Sequence, residues 1–338
     1  MIYHIVTFQE AGTMSKTGPG KAFCEGMSLL EVADMFSTEE KARAWIESVR
    51  WPAGPRCPHC GSFNVQCGIK HKTMTHRCRD CAKKPMFTAR KGTVMEGTKM
   101  PYRTWAIGLY LHLTNIKGVS SMRLHRELGI TQKSAWFMLH RLREASKSDP
   151  LPFSGPVETD ETFFGGLEGN KHSRKKLRAG RGTVGKTAVA GAKDRESGQV
   201  AARVVDEVNQ TTMKGFVVEH TQDGATVYTD DSKVYNGLPF DHEAVRHSVG
   251  EYVRKQAHTN GIESFWALLK RGYQGIYHKM SPKHLDRYVQ EFAHRHNTRG
   301  GDTIDQMRTL TLRMVGKRLK YDDLVEPNGL PNLARPQE

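Results

Sequence analysis

The sequence predicts a multidomain α/β chain: an N-terminal four-cysteine zinc ribbon, a helix-turn-helix, and a larger strand-rich domain behind a proline-containing linker. Three observations predict it. Two CxxC pairs lie close together, a helix–glycine–helix pattern follows them, and beyond Pro150 the chain turns to short apolar runs flanked by acidic residues. The chain has 338 residues, with 51 Lys+Arg against 36 Asp+Glu, a formal net charge of +15. That length suits two or three domains. The positive balance favours a polyanionic partner, most simply nucleic acid. No stretch approaches the roughly 20 apolar residues of a membrane span. Met1 to Gly20 lack the basic start and apolar run of a secretory signal. Six cysteines are too few for a disulfide scaffold, so a reducing, cytoplasmic setting is expected.

Residues 1–26 hold Gly12, Gly18 and Gly20 with little helical period and read as a dispensable, disordered leader. From Met27 the pattern is regular. Ser28 with Glu31, and Ser37 with Glu40, each fit a capping box. The second predicts a helix from about Thr38 to Val49, stopped by Trp51-Pro52-Ala53-Gly54-Pro55. This helix and the cysteine pairs make a first domain, 27–98. Cys57-Pro58-His59-Cys60 and Cys78-Arg79-Asp80-Cys81 stand seventeen residues apart. Two such knuckles supply four soft ligands for a tetrahedral Zn²⁺, and four protein ligands close the site, so this metal is structural.

A second domain, 99–148, reads as three helices. Ser120–Glu127, a turn at Leu128-Gly129-Ile130, and Thr131–Ala145 form helix, tight turn, helix. Gly129 takes the turn and Thr131 can cap the second helix. Ala135, Leu139 and Leu142 give one apolar stripe, which leaves Lys133, Arg141 and Arg143 elsewhere on the helix as candidates to face a DNA groove.

The third domain, 152–299, opens with a strand at Val157–Phe164. A basic loop follows, in which Lys171, Arg174, Lys175, Lys176, Arg178, Arg181 and Lys186 meet no acid. A hairpin spans 187–205 around Arg195-Glu196-Ser197-Gly198, then come a helix at 211–218, a strand at 225–229, and helical pattern from Asn260 to about His296. A C-terminal helix and tail occupy 300–338. Asp160 sits inside a strand, where aspartate is depleted by propensity. Asp230 ends another strand, and Glu263 opens a helix with Asn260 on the same face. Glu158 and Asp160 share one strand face and Glu161 takes the other. Three acids on two strands and a helix suit a site for two hard divalent cations, Mg²⁺ or Mn²⁺, acting on a phosphodiester. Lys270 lies seven residues after Glu263, about two turns on.

The sequence resembles the DDE-type transposases of bacterial insertion sequences, and within them the ISXO-like family with an N-terminal zinc ribbon. The resemblance rests on the four cysteines, on Glu158-Thr159-Asp160-Glu161-Thr162, on Tyr228-Thr229-Asp230, and on His258-Thr259-Asn260-Gly261-Ile262-Glu263-Ser264-Phe265-Trp266 with Lys270-Arg271-Gly272. Arg287-Tyr288, Glu291-Phe292, Arg295 and Asn297 continue it, so it spans about Met27 to Arg299. It implies an RNase H-like catalytic domain that cuts and joins double-stranded DNA at element ends, as a homo-oligomer on the DNA. Asp160 and Asp230 are then the first two catalytic acids. The third is Glu263 or Asn260, with Glu263 favoured by its distance to Lys270. Lys270 and Arg271 would contact DNA phosphate. The rival readings are a DNA-binding regulator with an inactive nuclease-like domain, and a nuclease or resolvase that cuts without joining.

Overall fold

The computed structural model describes residues 24–148, 152–166, 173, 176–177, 182–245 and 258–327. The expected leader up to residue 23, Lys171, Arg174, Lys175, Arg178 and Arg181 of the basic loop, and the tail from 328 lie outside these residues.

Helix α1 (Leu29–Met35) starts at the expected capping box: Ser28 accepts from the Glu31 amide and Glu31 from the Ser28 amide. Helix α2 (Glu39–Arg50) starts one residue off the expected box. Thr38 is the cap, accepting from the Lys41 amide, while Ser37 accepts from the Lys41 ammonium instead. The ribbon follows as a three-stranded antiparallel sheet, β1 (Val65–Cys67), β2 (His76–Cys78) and β3 (Met86–Phe87). Trp51 packs over it, edge-on to His76 and Phe87.

Helices α3 (Tyr102–Thr114), α4 (Ser121–Leu128) and α5 (Gln132–Ser146) come next. Gly129 takes the left-handed conformation, φ 62°, that lets α4 stop and α5 start three residues later, and Thr131 caps α5 through the Ser134 amide. These helices share one apolar core with α1, α2 and α9 (Thr303–Arg313), through Trp105, Leu124, Met138, Leu142, Met307 and Leu310. The end of the leader joins this body. The Glu25 amide donates to Asp302, and the Thr303 amide to the Glu25 carbonyl at 3.0 Å. The expectation of disorder through residue 26 is corrected at Glu25, which is tied to the start of α9.

The second body is a five-stranded sheet in the order β6-β5-β4-β7-β8. Its strands are β4 (Val157–Phe164), β5 (Thr187–Asp194), β6 (Val200–Val205), β7 (Thr226–Asp230) and β8 (Asp241–Val245). β4, β5 and β6 are antiparallel neighbours, whereas β7 runs parallel to β4 and β8 to β7. Helix α6 (Gln210–His220) covers one face through Met213, Phe216 and Val217. Helices α7 (Asn260–Gly272) and α8 (Pro282–Thr298) cover the other through Phe265, Trp266, Leu285 and Phe292. A π turn, Tyr273–Tyr277, links them. A short α10 (Tyr321–Val325) ends the described chain.

The outer edge of β6 meets side chains of α8 in place of another strand. The Val200 amide donates to Asn297, whose own amide donates to the Val200 carbonyl. Gln290 donates to the Ala202 carbonyl, and the Val204 amide donates to Asp286. Positions 200, 202 and 204 share one edge, and 286, 290 and 297 share one side of the helix.

The two bodies meet where α5 packs on α8. Glu291, fully buried, accepts from Arg143 Nε at 2.6 Å and from Tyr277 Oη at 3.1 Å, and lies 3.0 Å from Arg295 Nη2. Arg295 also donates to the carbonyls of His112 and Asn115, on and just after α3.

Candidate functional site

The four ribbon cysteines come together as expected. Their sulfurs all lie within 4.8 Å of one another, with Cys57 Sγ–Cys81 Sγ at 3.7 Å and Cys60 Sγ–Cys78 Sγ at 3.6 Å. Four thiolates about 2.3 Å from one Zn²⁺ stand about 3.8 Å apart at tetrahedral corners, so the set fits the ion with little movement. Among the described residues this is the only cluster of at least three His, Cys, Asp or Glu ligand atoms so close. A backbone hydrogen bond at Ser62 pulls the Cys60 thiol down to about 7, towards the thiolate a metal needs.

The acids assemble on the sheet face that carries α7. Val157 pairs with Val227 and Glu158 with Tyr228 across β4 and β7. Carrying that parallel register two residues on sets Asp160 beside Asp230. Even-numbered β4 residues point towards α7 and odd-numbered ones towards α6, as Phe164 and Val157 show by joining opposite cores. Glu161 therefore faces away from α7 and accepts from Tyr235 Oη at 2.7 Å. Helix α7 brings Glu263 in its first turn, where Glu263 Oε1 accepts from Thr259 Oγ1 at 2.9 Å. Burial, then the nearby charges of Glu161, Asp230 and Glu263, push the Asp160 carboxyl up to about 7. Carboxylates gathered on one face would favour a cation among them. Their hard oxygens match Mg²⁺ or Mn²⁺.

Two contacts here were missed by sequence reasoning. Trp266 Nε1 donates to Asp160 Oδ2 at 3.0 Å, and its indole lies over Gly191, where a Cβ would come within 2.5 Å of the ring. Gly191 is the direct antiparallel partner of Asp160. A glycine in a strand interior signals such close approach, and Gly191 was the readable clue. The second contact is Glu158, buried on the same face two residues before Asp160. It is engaged by Arg195, by His258 and by the Ile262 amide.

The candidate DNA-facing residues divide. Lys133 is exposed in the first turn of α5, with its ammonium 4.3 Å from the centre of the Tyr321 ring. Lys270 and Arg271 are exposed in the last turn of α7, and Lys176 is exposed in the basic loop. Asn260 is exposed at the start of α7. Arg143, 1% exposed and bonded to Glu291, corrects the sequence reading, and so does Arg141, which is 6% exposed, donates to the Leu319 carbonyl and stacks 4.1 Å over Phe137. Neither can face a groove, because the C-terminal half of α5 is packed on both sides.

Residues 152–297 match the ISXO2-like transposase domain, and residues 37–84 match the transposase zinc-ribbon domain. The first match holds all the acids above and the second holds all four cysteines, which places the chain among the transposases. It belongs to the ISXO2-like transposases that carry an N-terminal zinc ribbon. A relative is the uncharacterized protein in transposable element ISH50 of Halobacterium salinarum, 26% identical over 270 residues, covering 76% of this chain and 90% of that protein. Among solved structures, a chain of the simian T-cell lymphotropic virus intasome in complex with PP2A regulatory subunit B56 gamma is 16% identical. That match covers 56% of this chain and 65% of the other, just under two thirds of its length, at a TM-score of 0.27, too slight a likeness to bear on fold or function. No helix among the described residues is long and apolar enough to cross a membrane.

Proposed function

We propose that this transposase cuts and joins DNA strands at element ends, using divalent cations held by Asp160, Asp230 and Glu263 in an RNase H-like domain. One observation carries the reading: Asp160 and Asp230 come into register on adjacent parallel strands, on the sheet face covered by a helix whose first turn carries a glutamate. The sheet order β6-β5-β4-β7-β8, with β6 to β4 antiparallel and the rest parallel, supports the domain assignment. Mg²⁺ or Mn²⁺ bound here would supply charge stabilisation at the scissile phosphate. Asp160 and Asp230 hold their carboxylates on one sheet face, and Trp266 orients Asp160. Glu263 is favoured over Asn260 as the third group because its charge acts on Asp160, and an anionic oxygen suits a hard cation better than an amide. Exposed Lys270, Arg271, Lys176 and Lys133, with Lys171, Arg174, Lys175 and Arg178 of the basic loop, would hold the phosphate backbone. The ribbon, stiffened by structural zinc, and the α4–α5 pair would recognise element ends, with copies of the chain assembling on the DNA.

The test incubates the full chain with duplexes from the DNA flanking its own gene and Mg²⁺ or Mn²⁺, scoring cut and joined products. Asp160→Asn and Asp230→Asn should each lose cleavage by about 100-fold or more while still binding DNA. Glu263→Gln should match them, and Asn260→Ala should cost less. Cutting without joining would make the chain a nuclease, and binding without cutting a regulator.

A further inference from the structure

Glu158 lies on the same strand face as Asp160, so it could pass for another cation ligand. The structure assigns it a different task. Its Oε1 accepts from Arg195 Nε at 2.8 Å and lies 3.3 Å from His258 Nδ1, while its Oε2 accepts from the Ile262 amide at 2.9 Å. Ile262 is in the first turn of α7, where backbone amides have no partner within the helix. The residue placed to cap that turn, Thr259, makes no side-chain cap and spends its hydroxyl on Glu263. A carboxylate from the neighbouring strand fills the vacancy, and negative charge at a helix N-terminus is favourable.

The rest of the clasp is built around this contact. Arg195 donates both to Glu158 and to the His258 carbonyl, so one guanidinium ties the strand acid to the backbone leading into α7. It also stacks 4.2 Å over Tyr228 of β7. Gly261 lets the helix come this close: a Cβ there would stand 2.6 Å from Glu158 Oε2 and 2.8 Å from Lys193 Nζ. One turn further on, Trp266 ties the same helix to Asp160.

We propose that Glu158 is a positioning residue: from β4 it caps α7, and so fixes where Glu263 stands relative to Asp160 and Asp230, without holding a cation itself. The inference rests on the catalytic assignment above for its consequence, though not for its geometry.

The experiment uses the full chain, with Glu158→Gln as the main variant. Glutamine offers one acceptor oxygen where Arg195 and the Ile262 amide each need one. Amide hydrogen exchange across residues 259–266 is measured without DNA or added Mg²⁺. Exchange in the first turn of α7 should speed up at least about tenfold in Glu158→Gln, and stay unchanged in Asp230→Asn. Cleavage by Glu158→Gln should fall at least about tenfold with DNA binding kept. Gly261→Ala, which wedges a methyl group between the acid and the helix, should reproduce both effects if Glu158→Gln fails to fold. Unchanged exchange in the α7 turn overturns the proposal, and so does wild-type cleavage by a variant whose α7 turn has loosened. The exchange arm needs no reaction. If Asp160→Asn and Asp230→Asn cut normally, the catalytic assignment falls while the clasp is still judged by exchange.

Discussion

Glu291 shows what a single residue can hold together. Burial works against its charge, yet Arg143, Arg295 and His112 pull its carboxyl down to about 2. Replacing Glu291 by glutamine would leave buried Arg143 without its counter-charge. Breaking one side of such a pair costs about 3–5 kcal/mol, a large part of the roughly 5–15 kcal/mol that typically holds a domain folded. Urea unfolding of Glu291→Gln should show a lower midpoint with an unchanged slope. A shift worth less than about 1 kcal/mol would mean that the arginines find other partners. The string Arg287-Tyr288, Glu291-Phe292, Arg295 and Asn297 stood out in the sequence, but its work did not. Each role depends on what α8 lies against, and one helix read alone cannot say.

At the level of elements, the sequence was readable wherever local chemistry governs. β4 runs over Val157–Phe164 as its apolar and β-branched residues require, and Gly129 and Thr131 form the turn between α4 and α5. β8 was not readable. Asp241-His242-Glu243 looks like loop, and it becomes a strand only because β7 offers an edge to pair with. Arg141 failed for a related reason: helical spacing showed one apolar stripe, whereas the segment at 319–321 covers α5 there as well. The contact of α7 with the sheet gives a sharp test. Gly191→Ala pushes a methyl group into the Trp266 ring. Overpacking of this kind costs about 1–3 kcal/mol. The variant should melt lower and cut more slowly, by differential scanning calorimetry and cleavage assay. An unchanged melting point would show that the indole can step aside. In the ribbon, elemental analysis should find about one Zn²⁺ per chain. Cys57→Ser should lose that zinc and weaken end binding, and zinc-free protein purified without chelators would refute the assignment.

For the whole molecule, the seam between the two bodies sets the response to pH. His112 is fully buried and held near 3 by burial, with His140 and His294 also driven well down and His284 and His296 near 4. Each has a folded pKa below its unfolded value near 6.5, so the unfolded chain takes up protons first and stability falls as pH drops below about 6.5. Glu291 acts in the same direction between about 4.5 and 2. Asp160 opposes them, since its raised carboxyl near 7 makes the folded state the better proton acceptor between about 3.8 and 7. Five histidines outweigh one aspartate. The melting temperature should fall by roughly 5 °C or more from pH 7.5 to pH 5, and a flat profile would contradict this balance.

The side chains of α8 that meet β6 finish one border of the sheet. An unfinished border is an invitation: any passing strand can settle there, and stacked copies then grow without limit. Here Asp286, Gln290 and Asn297 occupy the seats that a visitor would need. The sheet therefore cannot be lengthened on that side, and any copies of the chain that meet must do so through other surfaces. Crowding can then raise the local concentration of the protein without turning neighbours into a fibre.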